Sequence, residues 1–183
     1  MDSVFEQLYE KYHQAVFQFL FYMVKSREQA EDLMQEVYIR VFKSYRQFEG
    51  KSSEKTWLFS IAKNVAIDHF RKQQGWKQRI FGKVEIISAQ VQDCRPLPEE
   101  IALQKEEIRM MYKCIDLCTI DQRMVILFRY IHELSISETA QALGWTESKV
   151  KTVQHRALKS LKKYMEEMIE KEVMSGEKIS AKR

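Results

Sequence analysis

Residues 135–161 read SISETAQALGWTESKVKTVQHRALKSL, a pattern that predicts two short helices joined by a sharp turn. Ser135 and Glu138 form an S-x-x-E capping box, in which each side chain satisfies a backbone N–H at the start of a helix. Gly144 can adopt the positive φ angle that commonly ends a helix, and Thr146 can cap the next one. We therefore expect the first helix to end at Gly144 and the second to begin just after it.

Small and aliphatic residues around the glycine predict how the two helices cross. Ala140 lies four residues before Gly144, and Val150 lies six residues after it. Helices that cross steeply need a small residue where their backbones approach and a packed aliphatic contact beside it. Helical spacing then places four residues of the second helix inward: Val150, Val153, Ala157 and Leu161. Together with the caps, this pattern is typical of a helix-turn-helix motif at about residues 136–155.

The outward face of the second helix carries the basic residues of this stretch. Seven polar and basic side chains occupy that face: Ser148, Lys149, Lys151, Thr152, His155, Arg156 and Lys159. A recognition helix lies in the major groove of DNA with its N-terminal residues at base edges, while flanking basic residues hold phosphates. The face therefore predicts duplex DNA as the partner. The alternative is a solvated basic face on a structural helix hairpin.

The composition of the whole chain favours an all-α fold. Of its 183 residues 45% are hydrophobic and 31% are charged, and only five glycines and two prolines interrupt it. That is enough apolar sequence to bury a core, and Lys and Glu recur at helical spacing. No stretch alternates strictly between apolar and polar residues, so we expect no sheet. The formal net charge is 30 minus 26, or +4, which by itself names no partner.

The sequence predicts a cytoplasmic protein. The N-terminus MDSVFEQLYEKYHQAV carries acids where a secretory signal carries bases, and it lacks an apolar segment. No run approaches the ~18 apolar residues of a membrane span. Three cysteines are an odd number without secretory context, so we expect reduced thiols at Cys94, Cys114 and Cys118.

Helical segments lie on both sides of an irregular stretch. We predict helices from about residue 3 to 24, from a capping box at Ser26 and Gln29 to near Phe48, and from 57 to 71. After the prolines at 96 and 98, helical periodicity resumes, with a further capping box at Thr119 and Gln122. The predicted organisation is two small helical domains on a flexible linker: an N-terminal bundle at 1–73, the linker at 74–99, a helix-turn-helix domain at 100–166 and a frayed polar tail at 167–183.

Three blocks in this order resemble the bacterial RNA polymerase sigma factors of the sigma-70 family, specifically the extracytoplasmic-function group. They are AEDLMQEVYIRVFKSY (residues 30–45), TWLFSIAKNVAIDHFRK (56–72) and the C-terminal DQRMVILFRY, SISETAQALG and VKTVQHRALKSL. Together they span nearly the whole chain outside the linker and tail. The resemblance implies a sigma region 2 domain at 1–73, a sigma region 4 domain at 100–166, and promoter-specific transcription initiation.

The first block resembles the helix with which sigma factors bind core polymerase. By that resemblance Asp32, Gln35, Glu36 and Arg40 belong to the polymerase-binding site, and the partners are the β′ clamp helices and the β flap. Asp32, Glu36, Arg40 and Lys43 share one stripe of the helix. The alternative is an exposed helix with intrahelical pairs such as Glu36 with Arg40, each contributing only ~0.2 to 0.5 kcal/mol.

The second block resembles the segment that melts and recognises the −10 promoter element. The resemblance assigns −10 DNA binding to seven residues: Lys51, Ser52, Trp57, Lys63, Asn64, Asp68 and Arg71. Aromatic rings stack on unpaired bases and basic side chains hold phosphates, as single-stranded DNA requires. The loop at 50–55 would help to hold a flipped base. Trp57 has an equal alternative, because a large apolar residue at a helix start can also pack in the core.

One departure from the family affects −35 recognition. The family commonly has an arginine after the V-K-[ST] run, where this chain has Val153 followed by Gln154. Val153 lies on the inward face, so we expect it to pack. The family implies an AAC-type −35 core, and without that arginine we expect Arg156 or Lys151 to carry more of the contact.

Other sites and functions are weaker alternatives. Cys114, Cys118 and His132 could suggest zinc, but a fourth ligand is missing, so we expect buried thiols and no metal or cofactor. We expect no enzymatic activity and no small-molecule substrate. The leading alternative function is a stand-alone, dimeric helix-turn-helix regulator, and a helical metal-dependent enzyme has little support. The resemblance also implies an anti-sigma factor, in this family commonly membrane-anchored, that would hold the chain at the inner face of the membrane.

Overall fold

The computed structural model describes the backbone of residues 2–81 and 106–180, and the side-chain surroundings of 5–46, 48–73 and 109–170. Within these ranges all regular structure is helical and no strand occurs. The predicted all-α class is therefore confirmed. None of the described helices is long and apolar enough to cross a membrane.

Three helices form the N-terminal half: α1 at Asp2–Val24, α2 at Arg27–Ser44 and α3 at Glu54–Phe81. The Ser26 hydroxyl accepts a hydrogen bond from the Gln29 backbone N–H at 3.4 Å, so the predicted N-cap of α2 is present. A short 3₁₀ turn, Tyr45–Gln47, follows α2 and leads into the loop before α3. The apolar stripes of the three helices meet in one core, with fully buried Phe19, Val41 and Leu58 among its residues.

Helix α3 is longer at both ends than the predicted span of 57–71. It begins at Glu54, where the Ser53 hydroxyl accepts a hydrogen bond from the Thr56 N–H at 3.1 Å. It continues through Gly75 to Phe81, into the segment predicted as linker. Good helix formers surround that glycine, whose cost of about 1 kcal/mol a long helix tolerates. The rest of the predicted linker, residues 82–99 with Cys94, lies outside the described residues.

Between residues 106 and 180 the C-terminal half has four α-helices: α4 at Glu106–Asp116, α5 at Ile120–Ile126, α6 at Ile136–Leu143 and α7 at Glu147–Ser180. Both predicted capping boxes, Thr119 with Gln122 and Ser135 with Glu138, have their two reciprocal hydrogen bonds. A π-helical turn, Leu127–Ile131, follows α5 directly. The C-terminal half therefore places α6 and α7 as a consecutive pair after that turn.

Helix α7 also extends beyond its predicted end. The tail at 167–183 was predicted to be frayed, but α7 continues as helix to Ser180. Glu, Lys and Met dominate this segment, and these residues lose little side-chain freedom in a helix. Residues 181–183 lie outside the described part of the chain.

The two halves pack against each other along an interface that we call the seam. Phe19 of α1 and Phe59 of α3 contact Phe128 of the π-helical turn, with ring centroids 5.0 Å and 5.3 Å apart. At the other end of the seam, the rings of Tyr22 and Tyr112 stack at 4.6 Å with only 8° between their planes. The sequence left the placement of the two halves open, and the structure shows that they share one buried core.

Polar groups complete the seam. Arg123 of α5 is only 8% exposed, and its Nη1 donates to the carbonyls of Tyr22 and Met23 at the C-terminal end of α1. Its Nη2 donates to the carbonyl of Asp116 at 2.8 Å. These carbonyls lie in the last turns of their helices, where the helix dipole favours a cation. Arg123 therefore joins the last turns of α1 and α4.

Candidate nucleic-acid interface

The turn between α6 and α7 has the predicted helix-turn-helix geometry. Gly144 ends α6 with φ = 68°, a left-handed conformation that favours glycine. The Trp145 N–H donates to the Ala140 carbonyl at 2.9 Å, and Thr146 caps α7 by accepting from the Lys149 N–H at 3.2 Å. No heavy atom lies within 4 Å of where a Cβ at Gly144 would stand, so the backbone angle alone requires the glycine.

The packing residues on either side of the turn are buried as predicted. Ala140 is 6% exposed and Val150 is fully buried, so α6 and α7 cross with the close approach that their sequence predicts. Further along α7, Ala157 is also fully buried. The orientation of α7 is therefore set by the core, which leaves its opposite face in solvent.

All seven predicted residues on the outward face of α7 are exposed, and we call this set the recognition face: Ser148, Lys149, Lys151, Thr152, His155, Arg156 and Lys159. Lys149 lies 3.8 Å from the centroid of the Trp145 ring, and the Thr152 hydroxyl donates to the Ser148 carbonyl at 2.9 Å. Lys151 lies 3.9 Å from a carboxylate oxygen of Glu147. Arg156 takes part in no ion pair between described residues, so its charge is available to an anionic partner.

The structure explains the departure at Val153 and Gln154. Val153 is half-buried and packs against the core, as its inward position predicts. Gln154 is also half-buried, but its amide is hydrogen-bonded to Arg129 and Tyr130 of the π-helical turn. In this chain, therefore, the position of the family arginine holds a packing residue, and the next position holds a polar link to the π-helical turn.

The candidate polymerase-binding residues lie along one exposed face of α2. Asp32, Gln35 and Glu36 are exposed, whereas Arg40 is half-buried. The Nε of Arg40 donates to Glu36 at 2.8 Å, and its Nη1 donates to Asp68 of α3 at 3.1 Å. These bonds, first that with Glu36, raise the pKa of Arg40. The structure thus pairs a residue assigned to polymerase with one assigned to the −10 element.

Sequence reasoning missed an apolar groove beside this face. It has a volume of about 490 Å³ and is lined by Phe5, Tyr9, Met34, Gln35, Tyr38, Ile39, Phe42 and Lys43. Ile39 is 50% exposed and Phe42 is 61% exposed, which is unusual for large apolar side chains on a helix that also has a buried face. The sequence does carry a signal for this groove, because Ile39 and Phe42 are apolar residues on the otherwise polar side of α2.

The candidate −10 residues lie along α3 and the loop before it. Lys51, Asn64 and Arg71 are exposed, and Ser52, Lys63 and Asp68 are half-buried. Burial, followed by the nearby charge of Arg71, lowers the pKa of Lys63. Lys51 is ion-paired with Glu49 in the loop. Asn64 and Arg71 are therefore the members of this set that project most freely from α3.

Trp57 is neither fully packed in the core nor fully exposed for stacking on bases, the two alternatives that its sequence position allowed. It is half-buried and packs against the rings of Phe48, at 4.8 Å between centroids, and Tyr45, at 6.1 Å. The Ser60 hydroxyl donates to the Trp57 carbonyl at 2.6 Å. The indole thus belongs to an aromatic cluster at the loop before α3, and part of it remains open to solvent.

The cysteines of the C-terminal half are buried thiols, as expected. Cys114 Sγ lies 3.5 Å from the sulfur of Met168, and Cys118 Sγ donates to the Cys114 carbonyl at 3.6 Å. Burial raises the pKa of Cys114, and it raises that of Cys118 to about 11. Among the described residues, no group of three or more His, Cys, Asp or Glu side chains is placed to hold a metal ion.

Two family models match this chain. Residues 8–75 match the model for Sigma-70 region 2, and residues 119–163 match that for Sigma-70, region 4. The first match contains α2 and most of α3 with their candidate residues. The second contains the helix-turn-helix and the whole recognition face.

Curated relatives of this chain are sigma factors, and solved structures have a similar fold. The chain is 56% identical to the ECF RNA polymerase sigma factor SigX of Bacillus subtilis (strain 168), over 97% of this chain and 91% of the relative. It is 33% identical to the RNA polymerase sigma factor YlaC of the same organism, over 93% and 96%. Its fold is similar to that of the sigma factor RpoE of Bartonella quintana, solved with the anti-sigma factor NepR (TM-score 0.71, 23% identity, 88% of this chain and 96% of that one). It is also similar to CnrH, solved with the cytosolic domain of CnrY (TM-score 0.66, 18% identity, 91% and 90%).

Proposed function

The chain belongs to the extracytoplasmic-function group of RNA polymerase sigma factors, and we propose that its two halves divide promoter recognition between them. As a sigma factor it binds core polymerase and directs initiation at specific promoters. In the proposed division, the N-terminal half binds polymerase and the melted −10 strand, and the C-terminal half binds the −35 element as duplex. The exposed recognition face of α7, set in position by the Gly144 turn, is the observation that carries this proposal.

The recognition face has the composition that duplex DNA requires. Its basic side chains can hold phosphates, and Ser148 and Thr152 near the start of α7 can reach base edges. With Val153 packed inward, the contacts that the family places on its arginine fall to Lys151 and Arg156. We therefore assign −35 recognition chiefly to these two residues.

The N-terminal half supplies two neighbouring surfaces. Asp32, Gln35 and Glu36 would dock on the β′ clamp helices of the polymerase, and the apolar groove beside Gln35 adds hydrophobic area to the same face. Arg40 would act by linking α2 to α3 through Asp68, rather than as a free contact. The β flap is the second proposed contact site on the polymerase.

The proposed −10 site uses α3 and the loop before it. Asn64 and Arg71 would contact the unpaired strand, with Lys51, Ser52 and Lys63 near them and the partly open Trp57 as a surface for stacking. Asp68 would act through its ion pair with Arg40. The corresponding domains are proposed at 1–73 and 100–166, with the linker at 74–99 and the tail at 167–183.

Variants of the two halves separate these roles when tested on a matched pair of promoters. One promoter is fully duplex, and the other carries an unpaired −10 segment. Asn64→Ala with Arg71→Ala should abolish open-complex formation on the duplex promoter, and the unpaired segment should restore much of it. Lys151→Ala with Arg156→Ala should weaken binding to both promoters equally. The unpaired −10 segment could instead restore promoter binding by Lys151→Ala with Arg156→Ala and fail to restore open complexes with Asn64→Ala and Arg71→Ala. That result would show that the proposed division between the halves is wrong.

Polymerase binding is tested by pulldown with purified core enzyme. Gln35→Ala should lower the amount of bound core severalfold, because the exposed amide lies at the centre of the proposed interface. Glu31→Ala is the matched control, since Glu31 is exposed on the same helix but pairs with Arg27 at 2.9 Å. Equal retention of core by both variants would exclude Gln35 from the interface.

An anti-sigma factor is a further proposed partner, which in this family is commonly membrane-anchored. Both similar structures of known fold were solved with partner proteins, one of them named as an anti-sigma factor. The proposal places the chain in the cytoplasm, held at the inner face of the membrane until release. A tagged chain should recover this partner from solubilised membranes, and recovery of polymerase subunits alone would count against it. Sigma factors in general are not enzymes, and we assign no covalent chemistry, metal or small-molecule substrate to this chain.

A further inference from the structure

The side-chain amide of Gln154 is held at both of its ends. Arg129 Nε donates to Gln154 Oε1 at 3.2 Å, and Gln154 Nε2 lies 2.9 Å from the phenol oxygen of Tyr130. A guanidinium can only donate, so the amide atom that faces Arg129 must be the oxygen. The NH₂ group therefore faces Tyr130, and the orientation of the amide follows from its partners.

This orientation leaves the hydroxyl proton of Tyr130 without a partner in the network. The NH₂ group of Gln154 can only donate, so the Tyr130 oxygen accepts from it. The single O–H of Tyr130 must then find a different acceptor. The side chain is 47% exposed, so an acceptor on another molecule can reach it.

The position of Tyr130 places that hydroxyl at one edge of the recognition face. Gln154 lies three residues after Lys151 and four before Leu158, and residues at these spacings are neighbours on one flank of a helix. Both neighbours are exposed. A helix seated in a major groove about 12 Å wide has phosphates along both flanks. With α7 in such a groove, Tyr130 would lie beside the DNA backbone rather than above the bases.

Charge at this flank favours an anionic acceptor. Arg129 is hydrogen-bonded to Gln154, and none of the ion pairs between described residues includes Arg129. Its Nη1 also donates to the Leu134 carbonyl, which fixes the guanidinium next to the π-helical turn. A charge without a carboxylate partner, close to an exposed O–H donor, suits a phosphate oxygen.

We propose that Tyr130 is a further DNA-binding residue, which donates its hydroxyl proton to a backbone phosphate of the −35 duplex and is positioned by Gln154 and Arg129. The inference rests on the proposed function, because it requires α7 to lie in the −35 major groove. Tyr130 precedes the helix-turn-helix and carries no charge. A phosphate contact at this place would fix the register of α7 in the groove without specifying a base.

The test uses Tyr130→Phe in holoenzyme assembled from the full chain and core polymerase. This change keeps the ring and removes only the hydroxyl. Promoter binding, measured by fluorescence anisotropy with core enzyme alone as background, should weaken about tenfold, the range expected for a hydrogen bond to a charged group. The loss should be the same on promoters with different −35 bases. The dependence on salt should stay unchanged because no cation is removed, whereas Lys151→Ala should lower the slope of log K against log[salt] by ~0.9.

Two further variants distinguish the contribution of the Tyr130 hydroxyl from that of the Gln154 amide that positions it. Gln154→Leu removes the positioning amide and should weaken binding to a similar extent, and the double variant with Tyr130→Phe should be no weaker than either single variant. Tyr12→Phe removes a half-buried phenol from α1 in the other half, outside the apolar groove, and should bind as the unmodified chain does. Thermal unfolding of each variant shows that binding is compared between folded proteins.

The outcomes distinguish this inference from the proposed function. Unchanged binding by Tyr130→Phe, while Lys151→Ala and Arg156→Ala weaken it, overturns the role of Tyr130 and leaves −35 recognition by α7 in place. No effect from any of the three variants overturns both. A Tyr130→Phe loss that is confined to one −35 base pair also contradicts the proposal, because it would indicate contact with a base rather than with a phosphate.

Discussion

Arg123 in the seam and Arg156 on the recognition face belong to the same half of the molecule, yet the structure uses them in opposite ways. Arg123 is almost completely buried and donates to three backbone carbonyls. Arg156 is exposed and joins no ion pair between described residues. The same guanidinium group stabilises the fold at the first place, and at the second it is exposed and is proposed to contact DNA. The surroundings of a basic residue, and not its type, therefore decide which role it has.

The contrast extends to the two surfaces as wholes. The seam combines stacked rings with buried donors that are bonded to helix-end carbonyls. The recognition face has exposed side chains whose contacts within the protein are local. Changes in the seam should therefore alter the free energy of unfolding, and changes on the recognition face should alter DNA binding.

The largest effect on stability is expected from Arg123→Ala. The change leaves the carbonyls of Tyr22, Met23 and Asp116 buried without their donor, so we expect the free energy of unfolding to fall by about 3 kcal/mol. Urea unfolding followed by circular dichroism measures it. Arg156→Ala is the matched control, and it should stay within about 0.5 kcal/mol of the unmodified chain. Equal stability of the two variants would contradict the claim that the seam stabilises the fold and the recognition face does not.

The pH dependence of stability should report burial of His132 in the seam. Burial and, to a smaller extent, the nearby Lys55 ammonium lower the pKa of His132 to about 3. Between this value and the unfolded pKa of ~6.5 the unfolded chain binds more protons, so stability falls as pH falls. We expect this residue to contribute a loss of about 2 kcal/mol between pH 8 and pH 5.

His132→Leu isolates that contribution. The variant should lose less stability than the unmodified chain over the same pH range, and the difference between the two curves excludes other groups such as Asp116, whose pKa burial raises. Urea unfolding at several pH values gives both curves. Parallel curves would mean that His132 is solvated and that the seam is open in solution.

The smallest expected effect on stability comes from a matched pair of lysines, one in the seam and one on the recognition face. Lys55 Nζ donates to the His132 carbonyl across the seam at 2.5 Å, whereas Lys151 is exposed on the recognition face. Lys55→Met should lower the free energy of unfolding by about 1 kcal/mol. Lys151→Met should leave stability nearly unchanged and weaken promoter binding. Unchanged stability with Lys55→Met, together with lower stability with Lys151→Met, would contradict the assignment.

Local features of this fold could be predicted from the sequence. The capping boxes at Ser135 and Thr119 and the positive φ at Gly144 depend on residues within one or two helical turns, so their spacing is sufficient to find them. The exposure of the recognition face followed from the same periodicity. The ends of α3 and α7 were predicted too early, because single glycines and a polar composition do not end a long helix.

Contacts between distant residues could not be predicted in this way. Arg123 bonds to carbonyls about 100 positions away, and Arg40 meets Asp68 across 28 positions. Neither pair leaves a periodic signal in the sequence. The link from Gln154 to Tyr130 is similar, since sequence alone indicated only that Gln154 follows Val153, the residue in the place of the family arginine. The candidate residues were therefore found by resemblance and periodicity, and their pairing required the structure.

Run-off transcription on a promoter library, with purified core polymerase and with or without this protein, tests the central claim most directly. The account predicts initiation at a subset of promoters only when the protein is present. It also predicts that Gln35→Ala or Asn64→Ala removes this activity in chains that remain folded. Unchanged transcription, together with binding of the protein alone to duplex DNA, would contradict the account and indicate a stand-alone regulator.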